Sequence, residues 1–237
     1  MKYTYGLKKG LPIALGYLSV SFGFGISSVE KGLNPLWAIL VSMTNLTSAG
    51  QVAGVSVMVA LGTVVEMIIA QLVINLRYSL MGIALTQRLD KSFRFGHRFP
   101  IAFGITDEVF VVAASEKEKI TPGYMYGLIT LPIIGWTLGT ALGAFSGELL
   151  PDGVRVALGL AIYSMFVAII VPPARDSKPV MSAILIASVM SSVIYYVPWL
   201  SKHISSGFSI IICAVTASAI MAKLCPVKEE TEVESGE

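Results

Sequence analysis

Apolar positions in this chain run in long unbroken blocks rather than in stripes or alternation. From Gly32 to Val65 there is no Asp, Glu, Lys, Arg or His. Gly10–Val29, Ile120–Gly147, Val156–Ala174, Pro179–Ser201 and Ile204–Ala222 are uncharged as well. Each reaches roughly the ~20 residues that cross a bilayer as a helix. None has the polar face of a soluble helix or the period-2 alternation of a membrane barrel strand. Composition agrees: mean hydropathy is +0.75 and charged residues are 14%, against about 25% in soluble domains. The reading is an all-α polytopic integral membrane protein, with residues 1–225 as one transmembrane domain and 226–237 as a short acidic disordered tail.

The pattern divides the chain as follows. A first span covers Leu11–Ser28, retained rather than cleaved, with Pro12 in its first turn, where a missing N–H costs nothing. Gly16, Gly23 and Gly25 allow a neighbouring helix to approach closely. The block Pro35–Gln87 is too long for one helix. Thr44, Thr47, Ser48 and Gln51 fall at i, i+3, i+4 and i+7, which fits either a helix-packing face or a broken helix lining a cavity. Later spans lie near Tyr124–Ser146, Val154–Val171, Val180–Trp199 and Ser205–Ala222. Pro151-Asp152-Gly153, Pro172-Pro173 and Ser201–His203 separate them.

Basic residues set the orientation. Met1–Lys9 carries three lysines, and Arg88, Lys91, Arg94 and Arg98 face a single acid, Asp90; both segments belong on the cytoplasmic side. An even number of crossings then lies between them, and the sequence available favours four short or broken ones. Phe99–Ser115 becomes a non-crossing or re-entrant piece. Arg175 and Lys178 prefer the inner side, Glu148 and Asp152 the outer, and the C-terminus is inside. The total is about seven to eight membrane helices. Leu11-Pro12-Ile13 recurs as Leu131-Pro132-Ile133, with Gly23 matching Gly143 at the same offset. This suggests two related halves, 8–98 and 120–223, as in many transporters.

Charge inside apolar sequence marks the candidate chemistry. An ionisable side chain at a membrane helix centre costs about 2.5–3.5 kcal/mol and usually faces a bundle interior or a water path. Glu66, Gln71, Asn75 and Arg77 lie in one apolar segment, and Asp107-Glu108 in another. On one straight helix Glu66 and Arg77 are separated by about 16 Å along the axis, so they cannot pair. Gln71 and Asn75, four residues apart, take another face. Thr106 or Asp107 can cap a helix starting there; alternatively the acids load a proton, since a carboxyl in low dielectric resists ionisation. A zwitterionic substrate needs a carboxylate site, which Arg77 or a half-helix N-terminus can supply, and an ammonium site, which an acid can supply. The pathway set is Ser48, Gln51, Glu66, Gln71, Asn75, Arg77, Asp107 and Glu108.

The sequence lacks HExxH, GxSxG, a P-loop and paired CxxC, so no enzyme chemistry, catalytic residue, metal, cofactor or nucleotide-driven pump is expected. Cys213 and Cys225 read as packing residues. A net charge of +2 without a basic stripe excludes nucleic acid as a partner.

The residues Gly10-x-Pro12, Gly16-Tyr17, Phe22-Gly23, Ser48-Ala49-Gly50-Gln51, Asn75-Leu76-Arg77-Tyr78-x-Leu80-Met81-Gly82 and Asp107-Glu108-x-Phe110 resemble the AzlC family. These are large subunits of prokaryotic branched-chain amino-acid exporters. The resemblance runs from about Lys8 to Leu224. It implies a proton-driven secondary exporter of hydrophobic amino acids in the cell membrane, working with a small AzlD-type membrane subunit. Tyr78 stands where many members have histidine, so the resemblance carries no proton role to that position. A channel or permease for another small solute, or a non-transport scaffold, are the alternative functional classes.

Overall fold

A computed structural model describes residues 1–146 and 150–226. Glu148 and the acidic tail from 227 onward lie outside the described residues, so the expectations for them have no counterpart here. Eleven helices are described: α1 (Tyr3–Glu30), α2 (Pro35–Thr44), α3 (Ser48–Val59), α4 (Val64–Thr86), α5 (Phe95–Phe103), α6 (Asp107–Ala114), α7 (Pro122–Ser146), α8 (Asp152–Asp176), α9 (Lys178–Tyr196), α10 (Pro198–His203) and α11 (Ser206–Leu224). The chain forms two compact units, Met1–Val167 and Ala168–Glu237. Their boundary lies within α8 and coincides with neither edge of the halves 8–98 and 120–223.

The first unit is built on α1 and α7, which run parallel with their backbones in contact. A Cβ added to Gly127 would sit 2.1 Å from Tyr3 O, at Gly135 2.6 Å from Ala14 O, at Gly139 2.3 Å from Leu18 O, and at Gly143 2.0 Å from Phe22 O. The fit is reciprocal: at Gly6 and Gly10 the clash would be with the carbonyls of Tyr124 and Leu128. Small residues at successive turns let two membrane helices approach this closely. The contact also explains why α1 begins at Tyr3 rather than Leu11, because its first two turns pack on α7. Pro12 therefore lies inside the helix. The sequence repeat places Leu11-Pro12 and Leu131-Pro132 at nearly one level of this parallel pair.

Two half-length hairpins enter from opposite ends. Gly32, at φ +92°, turns the chain after α1. α2 starts with Pro35 at its first position and Asn34 as cap. It descends until Ser42 Oγ meets Thr140 Oγ1 at 2.7 Å, and Leu46 packs with Tyr17 and Trp136. α3 then climbs back, its Val55 against Phe24, so the hairpin leaves by the end it entered. α4 is antiparallel to α1 and ends near the start of α7, where Asp90 N–H donates to Ile120 O at 2.8 Å and Ile120 N–H to Arg88 O at 2.9 Å. From that end α5 enters, turns at Gly104-Ile105-Thr106, and α6 returns to Glu116. Glu116 accepts from Tyr124 OH at 3.0 Å and lies 3.8 Å from Lys9 Nζ. Arg88 Nη1 donates to Ala114 O at 2.6 Å, satisfying a carbonyl at the α6 C-terminus, where a cation also complements the helix dipole. Phe99–Ser115 is thus re-entrant, as expected.

The four crossings expected before the basic loop are instead two long helices, α1 and α4, with a half-depth hairpin between them. The polar stripe Thr44–Gln51 is split by the hairpin tip. Among the described residues five helices (α1, α4, α7, α9 and α11) are long and apolar enough to cross a membrane; α2 and α3, with 10 and 12 residues, are not. Pro172-Pro173 lie within α8 rather than ending it. In the second unit Pro198 restarts the chain as α10, which shortens the expected span to α9. There α9 packs on α11, with Cys213 buried and Cys225 exposed, both as free thiols.

The outward face of α4 carries Leu72, Leu76, Leu80 and Ile83, each more than half exposed. A contiguous apolar face of this kind is at home in lipid rather than water. The protein is a multi-pass membrane protein.

The α1–α7 contact makes a direct prediction. Gly139→Val forces side-chain atoms against Leu18 O and should cost at least the ~1–3 kcal/mol of core overpacking. Gly82→Ala, whose Cβ meets nothing within 4 Å, should leave stability unchanged. Thermal unfolding in detergent distinguishes the two.

Candidate functional site

Both hairpin tips are helix starts, each capped by a threonine. Thr47 Oγ1 accepts from Gly50 N–H at 3.0 Å, and Thr106 Oγ1 accepts from Val109 N–H at 3.4 Å. The N-termini of α3 and α6 therefore lie at mid-depth of the unit, each carrying the partial positive charge of its unpaired N–H groups. Between the tips stand Tyr17 of α1 and Trp136 of α7, packed edge to face with ring centroids 5.1 Å apart. Each holds one tip. Trp136 Nε1–H donates to Gln51 Oε1 at 3.0 Å, and Gln51 Nε2 donates to Asn45 O. The Tyr17 hydroxyl donates to the Glu108 carboxylate and lies 2.6 Å from Thr106 Oγ1.

The seam between α3 and α4 is a chain of amides. Gln71 Nε2 donates to Gly50 O at 2.7 Å. Gln71 Oε1 accepts from Asn45 Nδ2 at 3.3 Å and from Asn75 Nδ2 at 3.1 Å. Gly50 leaves room for this: a Cβ there would lie 2.7 Å from Gln71 Oε1. On the neighbouring face of α4, Arg77 Nη2 lies 2.9 Å from Asp107 Oδ2 and donates to Tyr78 OH at 3.1 Å. Arg77 Nε and Asn75 Oδ1 are buried without a hydrogen-bond partner among the described residues.

The charges do not cancel. Arg77 is matched by Asp107, whereas Glu108 has a phenolic donor and no cation within 4 Å among the described residues. With both acids ionised the cluster carries one net negative charge; one proton or one bound cationic group neutralises it. Low dielectric makes that neutralisation favourable. The arrangement therefore has the parts to exchange a proton for an ammonium group, with an arginine and two helix N-termini nearby for a carboxylate.

Most of the residues singled out from sequence converge. Gln51, Gln71 and Asn75 form the amide seam, Arg77, Asp107 and Glu108 the charged cluster, and half-buried Ser48 opens α3 beside the tip. Asp107 opens α6 behind its Thr106 cap, so capping and charge-bearing roles coexist in this turn. Glu66 stands apart. It is buried, 3% exposed, in the first turn of α4, its backbone N–H held by Thr63 Oγ1. α4 is unbroken between Glu66 and Arg77, so the separation of about 16 Å along the axis stands. Thr44 ends α2 with its hydroxyl bonded to Leu40 O, away from the seam. Sequence reasoning missed Tyr17, Trp136 and Asn45. An aromatic in an apolar run reads as packing, and only the meeting of four elements reveals a partner for its polar atom; Asn45, two residues before Thr47, was the visible signal.

Arg77→Gln should destabilise the protein, because it strips a part-buried carboxylate of its partner. The cost should be about 1–2 kcal/mol, below that of a fully buried pair because the pair is part exposed. Arg77→Gln with Asp107→Asn should recover part of the loss, and a double-mutant cycle of unfolding in detergent reads the coupling.

The family model described as AzlC protein matches residues 12–150. The inner membrane protein YgaZ of Escherichia coli (strain K12) is 28% identical over 211 residues, covering 83% of each chain. An uncharacterized membrane protein of Archaeoglobus fulgidus is 30% identical over 172 residues, 72% of this chain and 75% of that one. One from Helicobacter pylori is 24% identical over 142 residues, 58% and 61% of the two chains. No solved structure matches. The matched stretch runs from Pro12 of α1 through both hairpins to the end of α7, and the chain belongs to the AzlC family.

Proposed function

We propose that this protein is the large membrane subunit of a secondary transporter that exports branched-chain or other hydrophobic amino acids, coupled to proton entry and working with a small AzlD-type subunit in the cell membrane. The observation that carries the reading is the meeting of two oppositely directed half-helix hairpins at a charged cluster halfway along the unit. Discontinuous helices whose ends converge at mid-depth are the construction secondary transporters use for substrate and ion sites. A scaffold has no use for a net charge held there at the cost of desolvation.

In this reading the substrate carboxylate is taken by Arg77 and the N-termini of α3 and α6. The ammonium group and the proton compete for Glu108, with Asp107 as its neighbour. In either state the Glu108 carboxylate is compensated, by the proton or by the ammonium group, while the substrate carboxylate is met by Arg77 and the positive helix ends, and the competition for Glu108 links efflux to the proton gradient. Tyr17 and Trp136, each bonded to one tip, transmit occupancy of the cluster to both hairpins. Substrate choice rests on the family resemblance; the cluster itself recognises the zwitterion.

The test is counterflow and proton-driven efflux of labelled leucine, isoleucine and valine in proteoliposomes, with and without the small subunit. Glu108→Gln and Asp107→Asn should each reduce proton-driven efflux to background while the protein inserts at normal abundance. Asp107→Asn retains a hydrogen-bonding group at the α6 start, so a pure capping role would lose little. Wild-type efflux from both variants would overturn the assignment and leave Glu66 as the acid to test. Uptake without counterflow would favour a channel.

Orientation is tested separately. Met1–Lys9 and Arg88–Arg98 are assigned to the cytoplasm, so a cysteine at exposed Ser92 should resist impermeant reagents in intact cells and react in inverted vesicles.

A further inference from the structure

Beside the basic loop lies a cavity of about 280 Å³ that the transport cluster does not use. Its wall is formed by Gly82, Ile83, Leu85 and Thr86 of α4, Phe93 and Leu89 of the loop, Ile101 and Ala102 of α5, Ile105 and Met125. Along α4 it runs from Thr86 to Ser79, about 10 Å at helical rise. Apart from the hydroxyls of Ser79 and Thr86, the only polar side chain on the wall is that of Arg98. Gly82 keeps the wall open, since a Cβ there meets no atom within 4 Å.

The segment that supplies Arg98 to this wall is basic. Of the four cations in 88–98, Arg88 is occupied by the carbonyls of Ala114 and Glu116. Lys91, Arg94 and Arg98 are exposed, and none has an acidic partner within 4 Å among the described residues. The one acid of the segment, Asp90, accepts from Ser92 N–H at 2.8 Å, and the Ser92 hydrogen bonds hold its carboxyl below the usual carboxylate range. The flanks are apolar and outward-facing: Leu80, Ile83, Phe95 and Phe99 are each more than 60% exposed. An aliphatic cleft with Arg98 on its wall, beside a lipid-facing surface and a loop carrying two further exposed cations, complements an amphiphile with an apolar chain and an anionic head. Basic pockets between membrane helices bind anionic lipid headgroups by this complementarity.

We infer that the cavity between α4, α5 and Met125 of α7 is a binding site for an anionic phospholipid of the leaflet facing the basic loop, its acyl chain in the cleft and its headgroup on Arg98, with Lys91 and Arg94 at the rim. A lipid seated there touches Ile105, next to the Thr106 cap of α6, and so braces the re-entrant hairpin against α4.

The experiment is native mass spectrometry of the full-length protein in detergent, titrated with dioleoylphosphatidylglycerol or dioleoylphosphatidylcholine. The wild type should retain one phosphatidylglycerol with at least a fivefold preference over phosphatidylcholine, roughly the factor one juxtamembrane cation contributes. Arg98→Gln should bring the two lipids to near parity. Gly82→Leu, which fills the cleft, should lose both, while Gly82→Ala keeps the wild-type pattern and matched melting temperatures verify folding. Arg98 is exposed and its replacement needs no repacking, so it tests the headgroup assignment independently of Gly82. Equal affinity of the wild type for the two lipids, or phosphatidylglycerol adducts undiminished in both Arg98→Gln and Gly82→Leu, would overturn the site. Loss of labelled-leucine binding in Gly82→Leu with lipid adducts unchanged would assign the cleft to transported solute and overturn it as well.

Discussion

The backbone contact between α1 and α7 is the constraint on which the first unit depends. In lipid there is no hydrophobic force between helices, so close packing and hydrogen bonding must hold them together. Glycines at positions 6, 10, 127, 135, 139 and 143 bring the two helices to within the reach of each other's carbonyls. Only at that distance do Tyr17 and Trp136 meet edge to face at mid-depth. From there they present one polar atom to each hairpin tip.

The tips themselves follow from a second constraint. A helix broken inside a membrane protein frees backbone groups that lipid cannot satisfy. Here the breaks at Asn45–Thr47 and Gly104–Thr106 are turned inward. Threonine hydroxyls cap the new helices, and side chains add bonds to the backbone at the tip, as when Gln51 reaches Asn45 O and Gln71 reaches Gly50 O. The same breaks that need satisfying supply two positive helix ends at mid-depth, where an uncompensated charge is most costly. Stability and the proposed transport chemistry thus draw on one feature. In the cluster two acids stand against the single cation Arg77.

Much was legible in the residues alone. Unbroken apolar runs establish a helical membrane protein, because only helices and closed barrels satisfy backbone groups in lipid and the period-2 pattern of a barrel is absent. Charge intrusions identified Arg77, Asp107 and Glu108, since an ionisable group persists in an apolar segment only where a partner or water receives it. The reading of Phe99–Ser115 as a non-crossing or re-entrant piece came from placing Arg88–Arg98, Arg175 and Lys178 on one side and Glu148 and Asp152 on the other, with crossings alternating sides.

Tertiary structure decided the rest. Hydropathy measures the cost of leaving water but not the direction in which a half-helix turns. Hydropathy and length therefore favour short crossings within Pro35–Val59, and it is the contact of Ser42 with Thr140 and of Leu46 with Trp136 that makes it a hairpin. Sequence spacing relates residues on one helix, which is why Glu66 could be set apart from Arg77 by axial rise, yet it says nothing about partners on another. Asp107 as the partner of Arg77, Tyr17 as the partner of Glu108, and Trp136 as the partner of Gln51 depend on the approach of α1, α4, α6 and α7. A glycine in a membrane helix permits such an approach, but which helix approaches is chosen by the packing of the whole unit.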